Sequence, residues 1–208
     1  MSAVEVSPGW VRALRVGFAV LALIALIRDL VPDSGEIGYS VANELSYFTI
    51  QSNVIAAVVL LVGGLRDPRD RRWQAIRCAA TLYLVITGIV YAVLLSHLGY
   101  GAAHPWVNDV LHRVMPIVVV VDWVLVPVAL GITERLIGGL LIYPLVYGIY
   151  TLIRGPIVDW YPYPFIDPRH QGYVSMTIGL VVLAVGFALL AVAIVALGDL
   201  CGRRRVSL

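Results

Sequence analysis

The chain has no lysine, only two cysteines among its 208 residues, and no low-complexity or linker stretch. With 60% hydrophobic and 13% charged residues it lacks the polar surface a soluble globule of this length needs. Its apolar runs do not alternate with polar residues, which excludes the strands of a membrane barrel and leaves helices. A net charge of +2 offers no basic surface for nucleic acid. No pair of histidines at helical spacing and no compact ligand motif is present, so no metal or other cofactor is expected. Cys78 and Cys201 both fall at helix ends expected on the reducing side, and no disulfide is expected.

What is there is a series of long apolar segments, about 10–27, 45–65, 78–96, 107–130, 136–152 and 173–197. Each approaches the ~20 residues that cross ~30 Å of hydrocarbon. The expectation is an all-α polytopic membrane protein, a bundle of six transmembrane helices forming one integral membrane domain over 1–208. The first segment is too long for a signal-peptide core, and the nearest small-residue site, Ser40-Val41-Ala42, lies too far downstream, so it is read as a retained helix.

All fifteen basic residues are arginine, and they fix the sidedness. Eleven of them (Arg12, Arg15, Arg66, Arg69, Arg71, Arg72, Arg77, Arg135 and Arg203 to Arg205) fall in the N-terminus, the second and fourth loops and the tail. Arg28, Arg113, Arg154 and Arg169 lie at the other side. The positive-inside rule therefore puts both termini in the cytoplasm. The first outer loop is acidic, with Asp29, Asp33, Glu36 and Glu44, and the third outer loop carries the aromatics Trp160, Tyr161, Tyr163 and Phe165, which suit a membrane interface.

Strongly polar side chains inside spans must face the bundle and find partners, so each is a functional candidate. Thr49 stands about 6 Å into the second span and His112 about 7 Å into the fourth, both spans running inward from the outer face. The two side chains share a depth. Thr49, Ser52 and Asn53 share one helix face, and Asp109 precedes His112 by one turn. A neutral imidazole suits removal of a hydroxyl proton near pH 7, so Thr49 is the candidate nucleophile and His112 its base. Asp109 is the candidate that orients the ring, and Asn53 or Gln51 would donate to an oxyanion, with Ser52 in support. Asp122, Tyr147, Tyr150, Arg154, Trp160 and Tyr161 are candidates for substrate contact.

The segments Tyr47-Phe48-Thr49, Asp109-Val110-Leu111-His112 with Met115-Pro116, and Tyr143 through Tyr150 followed by Gly155 and Trp160-Tyr161-Pro162 resemble the androgen-induced-gene family of six-helix membrane proteins. The resemblance spans most of the chain. It implies hydrolysis of fatty acid esters of hydroxy fatty acids, with an intramembrane threonine at Thr49 and its histidine at His112. The Gln51-Ser52-Asn53 triplet, the run Trp160-Tyr161-Pro162-Tyr163-Pro164 and the all-arginine, alanine- and valine-rich composition look more like a bacterial branch. The expected location is the bacterial inner membrane, with the site toward the extracytoplasmic side and a membrane lipid or fatty-acyl ester as substrate.

Two other classes fit the same residues. In one, the polar cluster only joins helices in a non-enzymatic lipid-binding, transport or regulatory protein. In the other, His97, His104, His112 and His170 with Asp109, Asp159 and Asp167 hold a hydrolytic metal. Oligomeric state has no signature in the sequence.

Overall fold

A computed structural model of the chain describes residues 6–32, 39–99 and 104–206. Asp33 and Glu36 of the acidic loop, and the side chains of Arg203, Arg204 and Arg205, lie outside the described part. The molecule is an all-α membrane bundle. Among the described residues seven continuous helices run through it, not six: α1 (Gly9–Asp29), a single-turn α2 (Val41–Glu44), α3 (Phe48–Arg66), α4 (Arg71–Val90), α5 (Pro105–Asp109) running on into α6 (Met115–Leu125), α7 (Glu134–Val158) and α8 (Pro168–Val206). α4 continues through a π turn, Tyr91–Leu95, and α5 joins α6 through another, Val110–Val114. The additional helix is α2, capped by the Ser40 side chain. Five helices are long and apolar enough to cross a membrane. The α5–α6 rod supplies the remaining span over 105–125, interrupted by its π turn.

Local chemistry sets the ends. Asp70 accepts from the Trp73 amide at 3.0 Å to start α4, and Thr133 accepts from Leu136 to start α7. The sequence reading carried the fourth span to residue 130, but α6 stops at Leu125 because Val126 precedes Pro127 and leaves the helical region (φ −128, ψ 68). α7 runs six residues past the expected end, through Pro156, and stops at Asp159 in the left-handed region (φ 51). Gly172, at φ 77 and ψ 160, breaks the first turn of α8 from the rest.

Within a bilayer, helices gain from close packing of small residues. α1 packs closely on α3, and Ala19, Ala22 and Ala25 of the one with Ala56 and Ala57 of the other belong to one buried cluster, all essentially inaccessible. Gly64 makes the tightest contact: a Cβ there would fall 2.6 Å from Val16 Cγ2 and 2.8 Å from the Arg12 carbonyl oxygen. Arg12 in turn donates to the Gly64 and Leu65 carbonyls at 2.9 and 2.7 Å, satisfying the end of α3. Gly64→Leu is expected to force α1 from α3 and to cost about 1–3 kcal/mol, read as a lower Tm in detergent. α4 is the hub, in contact with α3, α6, α7 and α8. Trp123 of α6 is fully buried and donates through Nε1 to the Ile194 carbonyl at 2.9 Å, tying α6 to α8. The outer faces of α7 and α8, including Leu145, Ile153, Ile157, Val174, Val182 and Leu189, are exposed and apolar, as lipid contact requires.

One end of the bundle is held by charge. Asp122 takes Arg15 Nε at 2.5 Å and Arg77 Nη2 at 2.8 Å, and Arg15 Nη1 reaches Asp67 at 3.2 Å and the Ser7 hydroxyl at 3.0 Å. Arg77 also lies over the Trp123 ring. Asp67 stands in the loop after α3 at φ 46, a position costly for a non-glycine residue. Burial alone would raise its carboxyl, but the Ser7 hydroxyl and amide and the Arg15 guanidinium outweigh this and hold it below the ordinary value. Asp122 was a candidate for substrate contact. The structure corrects this: its carboxylate is consumed by two guanidiniums of α1 and α4, about 15 Å along the α5–α6 rod from His112 at the helical rise.

Candidate active site

The opposite end is assembled around the first turn of α3. Pro116 cannot donate a backbone hydrogen bond, and its ring crowds the carbonyl one turn back, that of His112. The ladder widens into the π turn Val110–Val114 just before it, and Gly88 of α4 leaves room for both groups, a Cβ there falling 3.1 Å from the Pro116 ring and 3.3 Å from the His112 oxygen. α4 carries its own π turn at Tyr91–Leu95 alongside, and the Tyr91 ring lies 4.2 Å from the His112 ring at an interplanar angle of 33°.

His112 is held from two sides. Its Nδ1 is 3.2 Å from the Asn108 carbonyl oxygen and its Nε2 is 3.2 Å from Thr49 Oγ1. A carbonyl can only accept, so the neutral ring carries its proton on Nδ1 and turns the Nε2 lone pair to Thr49. Asn108 Nδ2 donates to Tyr91 OH at 2.6 Å, so the residue that fixes the tautomer also holds the tilted ring beside it. Thr49 is buried and His112 half-buried.

Two tyrosines meet the start of α3. Tyr163, from the loop between α7 and α8, places its hydroxyl 3.4 Å from the Thr49 amide nitrogen and 3.5 Å from Thr49 Oγ1. Tyr147 of α7 accepts from the Phe48 amide at 3.1 Å and donates to the Ser46 carbonyl at 2.9 Å. Both phenols thus serve backbone groups at the start of α3. Burial pushes the Tyr163 phenol up, so it stays protonated, although its hydrogen bonds with Thr49 oppose the shift. The loop bearing it is pinned by Asp167, whose carboxylate takes Arg169 at 2.7 Å and is held below its ordinary range by that guanidinium.

The structure brings together Thr49, Ser52, Asn53 and His112, and gives most of the other candidates different work. Asp109 does not touch the ring; it pairs at the surface with Arg113 at 2.5 Å, and a backbone carbonyl orients His112 instead. The π turn is the reason, since it breaks the α-helical register that put Asp109 beneath the imidazole. Asn53 Nδ2 donates to the carbonyls of Thr49 and Leu111 at 2.9 and 3.1 Å, and Gln51 Nε2 to that of Leu45, so neither amide is turned to Thr49 Oγ1. Gln51 Oε1 accepts from Tyr143 at 2.7 Å. The Ser52 hydroxyl sits 2.9 Å from Thr87 Oγ1 and 3.1 Å from the Thr49 carbonyl oxygen, joining α3 to α4.

The candidates for substrate contact likewise hold the turns at this end of the bundle. Tyr147 acts as above; Tyr150 lies 2.8 Å from the Ser46 hydroxyl; Arg154 donates to Asn43 Oδ1 at 2.6 Å and covers the Trp160 ring, which meets Tyr47 edge-on. Tyr161 packs on Gly155, where no side chain fits, with Arg169 over its ring. Among the described residues, which include His97, His104, His112, His170, Asp109, Asp159 and Asp167, no three possible metal ligands gather. Sequence reasoning missed Tyr91, Asn108 and Tyr163: the first two act through a π turn that side-chain spacing does not reveal, and Tyr163 was hidden in a run of aromatics read as an interface belt.

Comparison with protein-family models, with curated proteins and with solved structures finds no match to this chain.

Proposed function

We propose that this protein is an intramembrane hydrolase of lipid esters that uses Thr49 as nucleophile and His112 as general base. The observation that carries the reading is the 3.2 Å contact between Thr49 Oγ1 and an Nε2 whose lone pair is left free by the Nδ1 bond to the Asn108 carbonyl. Alone, a threonine hydroxyl is a poor nucleophile; a positioned neutral imidazole removes its proton as it attacks. In the proposed reaction Thr49 Oγ1 bonds to the ester carbonyl carbon while its proton passes to His112 Nε2 and the carbonyl π electrons move to oxygen. Collapse expels the alcohol, which takes the proton from His112, and leaves an acyl-threonine. Water then repeats the sequence, giving a fatty acid and restoring the hydroxyl. The likeness to the androgen-induced-gene family at Thr49 and His112 supports a fatty-acyl substrate of the kind that family hydrolyses.

The arginine distribution supports a site near the extracytoplasmic face, since Arg12, Arg15, Arg66 and Arg77 all cluster at the far end, and the all-arginine, alanine- and valine-rich composition supports a bacterial inner membrane. An ester carbonyl buried at the acyl boundary lies at this depth, and water arrives from the adjacent surface.

A serine-hydrolase-type fluorophosphonate is expected to label the purified protein, with the adduct mapping by peptide mass spectrometry to Thr49 and disappearing in Thr49→Ala. Label on another residue, or none with active reagent, would overturn the assignment.

A further inference from the structure

We infer that Tyr163 is a catalytic residue, its phenol donating the hydrogen bond that stabilises the oxyanion formed when Thr49 attacks an ester. The inference rests on the esterase reading above and supplies what that reading lacks, a donor aimed at the developing charge. Attack at a carbonyl is fast only where a preorganised donor lies ~2.7–3.1 Å from the new oxyanion, and each such donor contributes on the order of 10²–10³ in kcat.

The amides expected to do this are engaged elsewhere: Asn53 Nδ2 with two carbonyls, and Gln51 Nε2 with the Leu45 carbonyl. The Tyr163 hydroxyl stands 3.5 Å from Thr49 Oγ1. An oxygen on the carbon bonded to Oγ1 can approach it more closely than Oγ1 itself does. Toward the Thr49 amide it acts as acceptor, and because the Thr49 hydrogen is turned to His112, the phenol hydrogen is the one left to point at Oγ1, from which it can pass to the oxygen that develops beside it. Its neighbour Tyr147 already gives its own hydrogen to the Ser46 carbonyl. Burial keeps the phenol protonated, with Phe165 stacked on it at 5.1 Å and Tyr47 edge-on at 5.7 Å fixing the ring. The charge would also develop at the amino end of α3, a helix of 19 residues whose dipole favours it. Across the nucleophile stands His112, so base and donor flank Oγ1 from different elements. No proton is transferred from Tyr163; it donates a hydrogen bond that strengthens as the carbonyl becomes an alkoxide and relaxes as the alcohol leaves.

The test uses the full-length protein in detergent and a long-chain p-nitrophenyl ester. Tyr163→Phe is expected to lower kcat on the order of 10²-fold or more while KM stays unchanged. Because that variant also loses a bond to the Thr49 amide, 3,5-difluorotyrosine is placed at position 163 as a second arm. Its more acidic phenol keeps the same contacts but ionises earlier, and an ionised phenol cannot donate. The alkaline limb of the kcat profile is then expected to move to lower pH than in the unmodified protein. Wild-type kcat in Tyr163→Phe, or an alkaline limb that does not move in the fluorinated protein, would overturn the role of Tyr163 while leaving Thr49 as nucleophile. Failure of the wild-type protein to turn over the ester at all would overturn the esterase reading, and this inference with it.

Discussion

Thr49→Ala is expected to abolish turnover of a long-chain ester, lowering kcat on the order of 10⁴-fold or more, with thermal stability in detergent little changed. The side chain removed is a hydroxyl and a methyl at the first turn of α3, and the backbone bonds of that turn run to Tyr147 and Tyr163 through amides the substitution leaves in place. His112→Ala should cost about as much as Thr49→Ala, and the double variant little more, because nucleophile and base act as one unit. Thr49→Ser keeps a hydroxyl at the same atom and should retain measurable activity. Turnover in Thr49→Ala or His112→Ala equal to wild type would remove the mechanism.

The largest effect on stability is expected at the other end of the molecule. Asp122→Ala removes the carboxylate that Arg15 and Arg77 share, leaving two guanidiniums buried without their common partner. Arg15 keeps Asp67 at 3.2 Å and Arg77 keeps Gln74 Oε1 at 2.7 Å, which is incomplete compensation for a charge with almost no access to solvent. Breaking a buried pair from one side costs about 3–5 kcal/mol, and thermal unfolding in detergent should show a correspondingly large fall in Tm. Replacing all three members together with apolar residues, Asp122→Leu with Arg15→Met and Arg77→Met, should recover part of that loss, because the guanidiniums are no longer stranded and Asp67, which loses Arg15, keeps Ser7 and Arg69. A Tm for Asp122→Ala equal to wild type would mean that the two guanidiniums draw their stabilisation from the carbonyls and hydroxyls around them.

Much of this was legible before any coordinates. Hydropathy and run length identify the membrane helices, because lipid leaves the backbone few alternatives to bonding within its own segment. Depth counting brought Thr49 and His112 to one level because each stands near the start of a span that begins at the same end of the bundle. What escaped was the contribution of irregular backbone. Proline stops and π turns changed which face each side chain occupies, so Asp109, one turn before His112 by counting, points away from it. α2 was too short to carry a hydrophobic pattern. Tyr163 belongs to a segment between spans, where no periodicity tells which of several aromatic residues turns inward. Asp122 was visible as an intramembrane carboxylate, but its partners sit on α1 and α4, 107 and 45 residues away, a distance over which spacing carries no information.

The bonds from Tyr147 and Tyr163 to the first amides of α3 carry a consequence for how the protein is made. Thr49 and His112 are both translated before Tyr147 and Tyr163. The two phenols that accept from the first amides of α3 emerge later, one from α7 and one from the turn that leads to α8. During synthesis those amides therefore stand without their phenol partners until α7 and the turn after it have emerged, and the proposed hydrolase would complete its site only then.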